Sequence, residues 1–206
     1  MSSGMKSSGC WLRSLGVLTL LAFLWTVPPT ASGASGALTL AWNDLQPAGE
    51  AAHNAKISAA LTAGLYDAIR KRRVNEYQSE ATALRSQLKS GVVAALDGKH
   101  VRIPGYVVPL DFDDAGRIKQ FLLVPFYGAC IHVPAPPSNQ IVHVFLPRPR
   151  EITELQLPIW AEGRLAVRPS SSPLAPASYQ LSLTALQAYS GQDVPYDGPT
   201  PHTDGR

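Results

Sequence analysis

Cys130 and His132 are the two residues whose types and spacing most readily suggest chemistry. They lie in the run Phe126-Tyr127-Gly128-Ala129-Cys130-Ile131-His132-Val133-Pro134. If Cys130 to Val133 is extended, the two side chains project from one face of the strand with Cα atoms about 7 Å apart, and Ile131 and Val133 take the other face. A thiolate and an imidazole so placed can grip one soft or borderline cation, zinc or copper(I). Pro134, Pro136 and Pro137 stiffen the outgoing chain, and Asn139 and Gln140 offer amides at its far end. Tyr127, Pro134, Asn139 and Gln140 thus form a loop that a ligand or partner can read.

A zinc site needs three or four ligands. His143 is the nearest further donor; on a strand from Ile141 it shares a face with Ile141 and Phe145. Asp111 or Asp113 can add an oxygen. His100 alternates outward with Arg102, while His53 in a helix and His202 in a polar tail are weaker candidates. Against this stands a plainer role for Cys130 as a small buried hydrophobe. The same atoms also admit an activated thiolate. Residues i and i+2 on a strand diverge, so the base for that chemistry is better sought in His143 than in His132. No Gly-x-Ser-x-Gly, Cys-x-x-Cys, Walker or dinucleotide fingerprint occurs. Asp111, Asp113 and Asp114 run into Ala115-Gly116 and read as a turn, with no paired carboxylates for hydrolysis.

The elements that must position these residues begin after an address. Lys6 and Arg13, an apolar stretch from Leu15 to Val27, and the small residues Thr30 to Ala34 follow the order of a secretory signal peptide. A spanning helix needs roughly 20 apolar residues, and Pro28-Pro29 end this stretch sooner. Residues 1–34 therefore read as a removable leader and the protein as periplasmic, with no integral membrane segment after cleavage. Of 206 residues 172 remain; loss of Lys6 and Arg13 lowers the net charge from +3 to +1. A near-neutral exported chain exerts no broad pull on nucleic acid. Cys10 leaves with the leader, so Cys130 is then the one thiol and an intramolecular disulfide is excluded.

From Gly49 to Ser90 there is no proline, and Ile57, Leu61, Leu65, Ala68 and Ile69 recur at helical spacing. Residues 35–91 read as a helical segment of one long or two shorter helices. Its Arg70-Lys71-Arg72-Arg73 cluster forms a solvated face, with a membrane-surface or partner contact as the minority reading. From Val92 the texture changes to short apolar runs split by turn formers, starting near His100, Phe121, Ile141, Ile159 and Tyr179. Interior Gly105 and Gly163 suggest strong bending. The expected fold is α+β: the helical segment, then a small five-stranded antiparallel OB-like β-barrel over 92–190, then a flexible tail at 191–206. A small sandwich is the alternative. Tyr106, Phe126, Tyr127 and Trp160 read mainly as core.

The stretches Leu96 to Lys99, Ile103 to Asp111, Phe121 to Pro125 and Gly128 to Pro134 through Asn139-Gln140 resemble the DUF3299 family of bacterial exported proteins of uncharacterised function. Relatives usually carry an unbroken proline run in the loop; here Ala135 and Ser138 interrupt it. The resemblance implies a periplasmic protein associated with an ABC-transporter component or with zinc or copper homeostasis. Three functional classes follow. The first is a non-enzymatic metal-binding accessory protein using Cys130, His132 and His143. The second is a metal-free protein that docks a membrane transporter through the Pro-rich loop and the basic helix. The third is a Cys130-dependent thiol enzyme.

Overall fold

The computed structural model describes residues 36–130 and 135–189, all within one compact unit spanning 35–206. The leader at 1–34, the tail at 191–206, Cys10, His132, Pro134 and His202 lie outside the described residues. Among the described residues no helix is long and apolar enough to cross a membrane.

The chain enters through a two-residue strand, β1 (Leu38–Thr39), and a short helical turn, Trp42–Leu45. Two helices follow, α1 (Glu50–Arg70) and α2 (Val74–Arg85). They form a hairpin whose seam is Ile57, Leu61, Ala68, Tyr77 and Ala81. Gly64 lets the helices approach: a β-carbon there would meet the Tyr77 ring at 2.8 Å. The Tyr77 hydroxyl donates to the Leu61 carbonyl, stitching the second helix to the first. Leu65 packs only partly and Ile69 is exposed, because the seam drifts round the helix and leaves Ile69 about 100° beyond Ala68.

The barrel comprises β2 (His100–Phe112), β3 (Ile118–Val124), β4 (Val142–Arg150), β5 (Ile159–Ala166) and β8 (Tyr179–Ala188). A small ribbon, β6 (Ser170–Ser171) with β7 (Pro176–Ala177), decorates the connection before β8. The order is β2-β3-β4-β8-β5, closed by β5 pairing back to β2, with β1 added parallel to β2. The sheet is mixed, which corrects the expectation of a wholly antiparallel one: β4 and β8 run parallel, Val144 opposite Leu181. The reason is one of parity. Strand directions cannot alternate all the way round a closed ring of five, so at least one neighbouring pair must be parallel.

β2 serves two neighbours by bending. Its first half pairs with β5, ending at Gly105 opposite Ile159, and its second half pairs with β3 from Tyr106 onward. Gly163 allows a bulge in β5, where the register against β8 slips between Glu162 and Gly163. Val101, Ile103, Val107, Phe121, Leu123, Val142, Val144, Leu165 and Leu181 fill the interior, with Trp42, Leu45 and Leu96 packed in the same cluster. A second apolar layer covers the outer face of β2, β3 and β4: Tyr106, Val108, Leu122, Val124 and Ile141 beneath Ala129, Ala175 and Ala177. Burying both faces requires the near-continuous apolar runs seen in β2 and β3.

Candidate functional site

The β3–β4 connection carries the singled-out residues. It leaves Val124 through a tight turn in which the Ala129 amide donates to the Phe126 carbonyl and Gly128 and Cys130 take positive φ, 81° and 68°. Glycine adopts that region freely; a cysteine there is uncommon and is held by its packing. Cys130 is half-buried against the outer layer formed by Leu122, Ile141 and Ala129. Burial pushes its thiol up to about 11, so at neutral pH it is protonated and a poor nucleophile. Tyr127, next to it, is exposed (55%) and meets the buried Tyr106 ring edge-on at 6.0 Å and 61°. Phe126 is partly buried against the same layer and Trp160 is buried, so Tyr127 is the exception among the four aromatics.

Past the undescribed segment 131–134 the chain turns inward. Pro137 has polyproline geometry (φ −60°, ψ 153°) and starts a helical turn over Ser138–Gln140. Asn139 and Gln140 are buried, and both amides face the N-terminal segment. Asn139 Nδ2 donates to the Gly91 carbonyl at 2.8 Å, and Gln140 Nε2 donates to the Trp42 carbonyl at 2.7 Å. The Ser138 carbonyl accepts from the Ser178 amide at 2.8 Å. These groups fasten the entry segment and the β7–β8 corner to the barrel. Asn139 Oδ1 is buried with no hydrogen-bond partner among the described residues.

His143 sits on β4 with its side chain in the outer layer, opposite Leu122 of β3, stacked on Phe145 at 4.2 Å. Both ring nitrogens are engaged: Nε2 with Gln120 Oε1 at 2.9 Å and Nδ1 with Ser170 Oγ at 3.0 Å. An amide oxygen only accepts, so the proton sits on Nε2, and Nδ1 accepts from the serine hydroxyl. Burial lowers the imidazole's pKa and keeps it neutral. Cys130 packs against the outer face of β3–β4 on which His143 also stands, and both ring nitrogens of His143 are already engaged. Among the described residues no group of three or more His, Cys, Asp and Glu side chains is arranged to hold a metal. His100 lies on a different face, 3.5 Å from Glu162 and 3.2 Å from Thr184. Asp113 closes its turn by accepting from the Ala115 and Arg117 amides.

Gln120 and Ser170, the partners that decide the state of His143, were not singled out from sequence. Gln120 had a legible signal: it is the polar residue on the face of β3 otherwise occupied by Leu122 and Val124. Ser170 had none, being one of three consecutive serines brought near His143 only by the fold of the β5–β8 connection.

A five-stranded mixed barrel of OB-like type, its outer face roofed by long connections and its entry segment tied on by buried amides, defines the class. Within that class the chain belongs to the DUF3299 family, described as proteins of unknown function; the match spans residues 42–188. A DUF3299 family protein from Pseudomonas aeruginosa PAO1, known from its crystal structure, is 38% identical, with a TM-score of 0.55 over 74% of this chain and 96% of that one. A small single-stranded DNA-binding protein from Streptomyces coelicolor matches at 15% identity and a TM-score of 0.28, over 46% of this chain and 96% of that one, too slight a likeness to carry an argument. No curated protein matches the chain.

Proposed function

We propose that this chain is a non-enzymatic accessory protein of the periplasm. In this reading it docks an envelope partner, an ABC-transporter component in the sense the family resemblance implies, through the surface around Tyr127. The leader-like order of residues 1–34 supports the location. The observation that carries the docking role is the exposed Tyr127 ring, presented on a turn and braced edge-on by Tyr106 of a closed barrel. A large aromatic held at low entropic cost on a rigid support is the usual form of a binding anchor. Asn139, Gln140 and Pro137 are buried, and the two amides fasten the entry segment instead of facing a partner. The protonated Cys130 and the saturated His143 weigh against thiol catalysis.

The test is a photo-crosslinking residue at position 127, with one at exposed Phe112 as control. The reading expects an envelope protein captured from 127 and not from 112. Purified, that protein should bind the wild type at least about tenfold more tightly than Tyr127→Ala, a difference of about 1.4 kcal/mol. Equal binding by a folded Tyr127→Ala overturns it.

A second reading, metal binding for zinc or copper(I) handling, draws on the shared outer face of Cys130 and His143. Metal analysis decides it. Near one equivalent of zinc or copper, lost in both Cys130→Ala and His132→Ala, supports this reading over metal-free docking.

A further inference from the structure

The last residue of α1 and the turn to α2 supply four consecutive basic residues, Arg70 to Arg73, and apolar side chains stand beside them in solvent. Tyr66 (56%) and Ile69 (54%) lie one helical turn apart on the outward face of α1, and Val74 (39%) starts α2. Ile69 and Val74 share a surface depression of about 470 Å³ with Arg72, Arg73, Asn75 and Glu76. The nearby acids are outnumbered. Asp67 is shared by Arg70 at 2.7 Å, Lys71 at 2.8 Å and Arg73 at 3.6 Å, and Glu76 takes Arg73 at 3.0 Å. Arg72 has no ion-pair partner among the described residues. Glu80 also acts on Arg73, so four cations face three carboxylates and the tip keeps an excess of one positive charge around exposed tyrosine, isoleucine and valine.

The backbone makes the position of Arg72 informative. The Arg73 amide donates to the Ala68 carbonyl at 2.8 Å and the Arg72 amide to the Ile69 carbonyl at 3.1 Å, the paired bonds of a Schellman helix end. Arg72 occupies the left-handed position of that motif, φ 56°, where glycine is favoured and an arginine is strained. Glycine would suit the turn better, so arginine at this position costs the fold some stability.

A run of basic residues flanked by exposed apolar side chains at the end of a helix hairpin complements an anionic bilayer. Phosphates attract the cations, while tyrosine, isoleucine and valine enter the headgroup boundary. An acidic protein groove would match the charge, but basic residues set beside partly exposed tyrosine, isoleucine and valine are the composition of a surface that lies in the headgroup boundary. We propose that the α1–α2 tip is a peripheral membrane-docking surface for anionic phospholipid.

The test is vesicle co-sedimentation of the compact unit 35–206, which carries its own apolar cores, with phosphatidylglycerol-containing and pure phosphatidylcholine vesicles. The expected result is at least about tenfold stronger partition to the anionic vesicles, weakened by salt. Arg72→Gly should lower that partition roughly fivefold, following the usual contribution of one basic residue near an anionic surface, while its melting temperature stays level or rises. Arg72→Asn, which also suits the left-handed turn, should do the same, as should Ile69→Ser. The exposed barrel variant Arg148→Gln should leave partition unchanged. Equal partition to both vesicle types overturns the proposal, as does undiminished binding by folded Arg72→Gly and Ile69→Ser.

Discussion

The indole of Trp42 occupies the space that a β-carbon on residue 105 would need: Cζ2 stands 2.9 Å from that point, and Trp42 Nε1 donates to the adjacent Pro104 carbonyl at 2.7 Å. The entry segment is thus seated where β2 bends to change partners. The Val124 carbonyl and the Leu123 side chain crowd the same point, at 2.8 and 2.9 Å. Gly105→Ala should therefore destabilise the protein by roughly 1–3 kcal/mol. Gly163→Ala should cost more, roughly 3 kcal/mol or above, because its β-carbon would lie 2.2 Å from the Ser182 carbonyl oxygen, a backbone atom that cannot swing away. Urea midpoints of the two variants rank these costs; a Gly163→Ala as stable as the wild type would refute the bulge argument.

Tyr179 ties three parts of the chain together. Its buried hydroxyl donates to the Leu45 carbonyl at 2.7 Å and accepts from the Val93 amide at 2.8 Å. Tyr179→Phe leaves both groups without this partner and should cost roughly 1–3 kcal/mol. The loss should be local first, with amide exchange rising around residues 91–95 and in the entry segment before it rises in β3. Uniform acceleration across the barrel would contradict that order.

His143 predicts acid sensitivity. Its folded pKa is lowered by burial from an ordinary value of 6.5, and Gln120, Ser170 and Phe145, which touch the ring, are neutral. The unfolded chain takes up the proton more readily, so stability rises with pH in this window. The stabilisation is complete above about pH 6.5 and is lost as pH falls from there toward the lowered folded value. His143→Leu should be less stable at pH 7.5, since Gln120 and Ser170 lose their partner, but its stability should change less between pH 7 and 5. Denaturation curves at several pH values check this; parallel slopes for both proteins would rule out His143 as the source.

Much of the fold was legible in residue pattern. The five main strands begin close to where alternation and turn formers placed them, and the helical stretch from Gly49 resolves into the two-helix option. Gly105 and Gly163 mark a bend and a bulge, as glycine inside a strand tends to do. The candidate site was less legible. Cys130, Tyr127 and His143 stand out by type and neighbourhood, yet the inward turn of Asn139 and Gln140 depends on carbonyls of Gly91 and Trp42, far away along the chain. The exposure of Ile69 was also hidden, since helical spacing counts it with Ala68 and cannot tell which residue faces the seam.

Local chemistry settles what neighbouring residues settle between themselves: helix against strand, turn against run, and the unusual Gly-Ala-Cys-Ile-His-Val-Pro segment. Whether a thiol is open or sealed, whether an imidazole is free or held by Gln120 and Ser170, and which strands run parallel are decided by groups distant in sequence. Those outcomes follow from ring closure and burial, which exist only once the chain has folded.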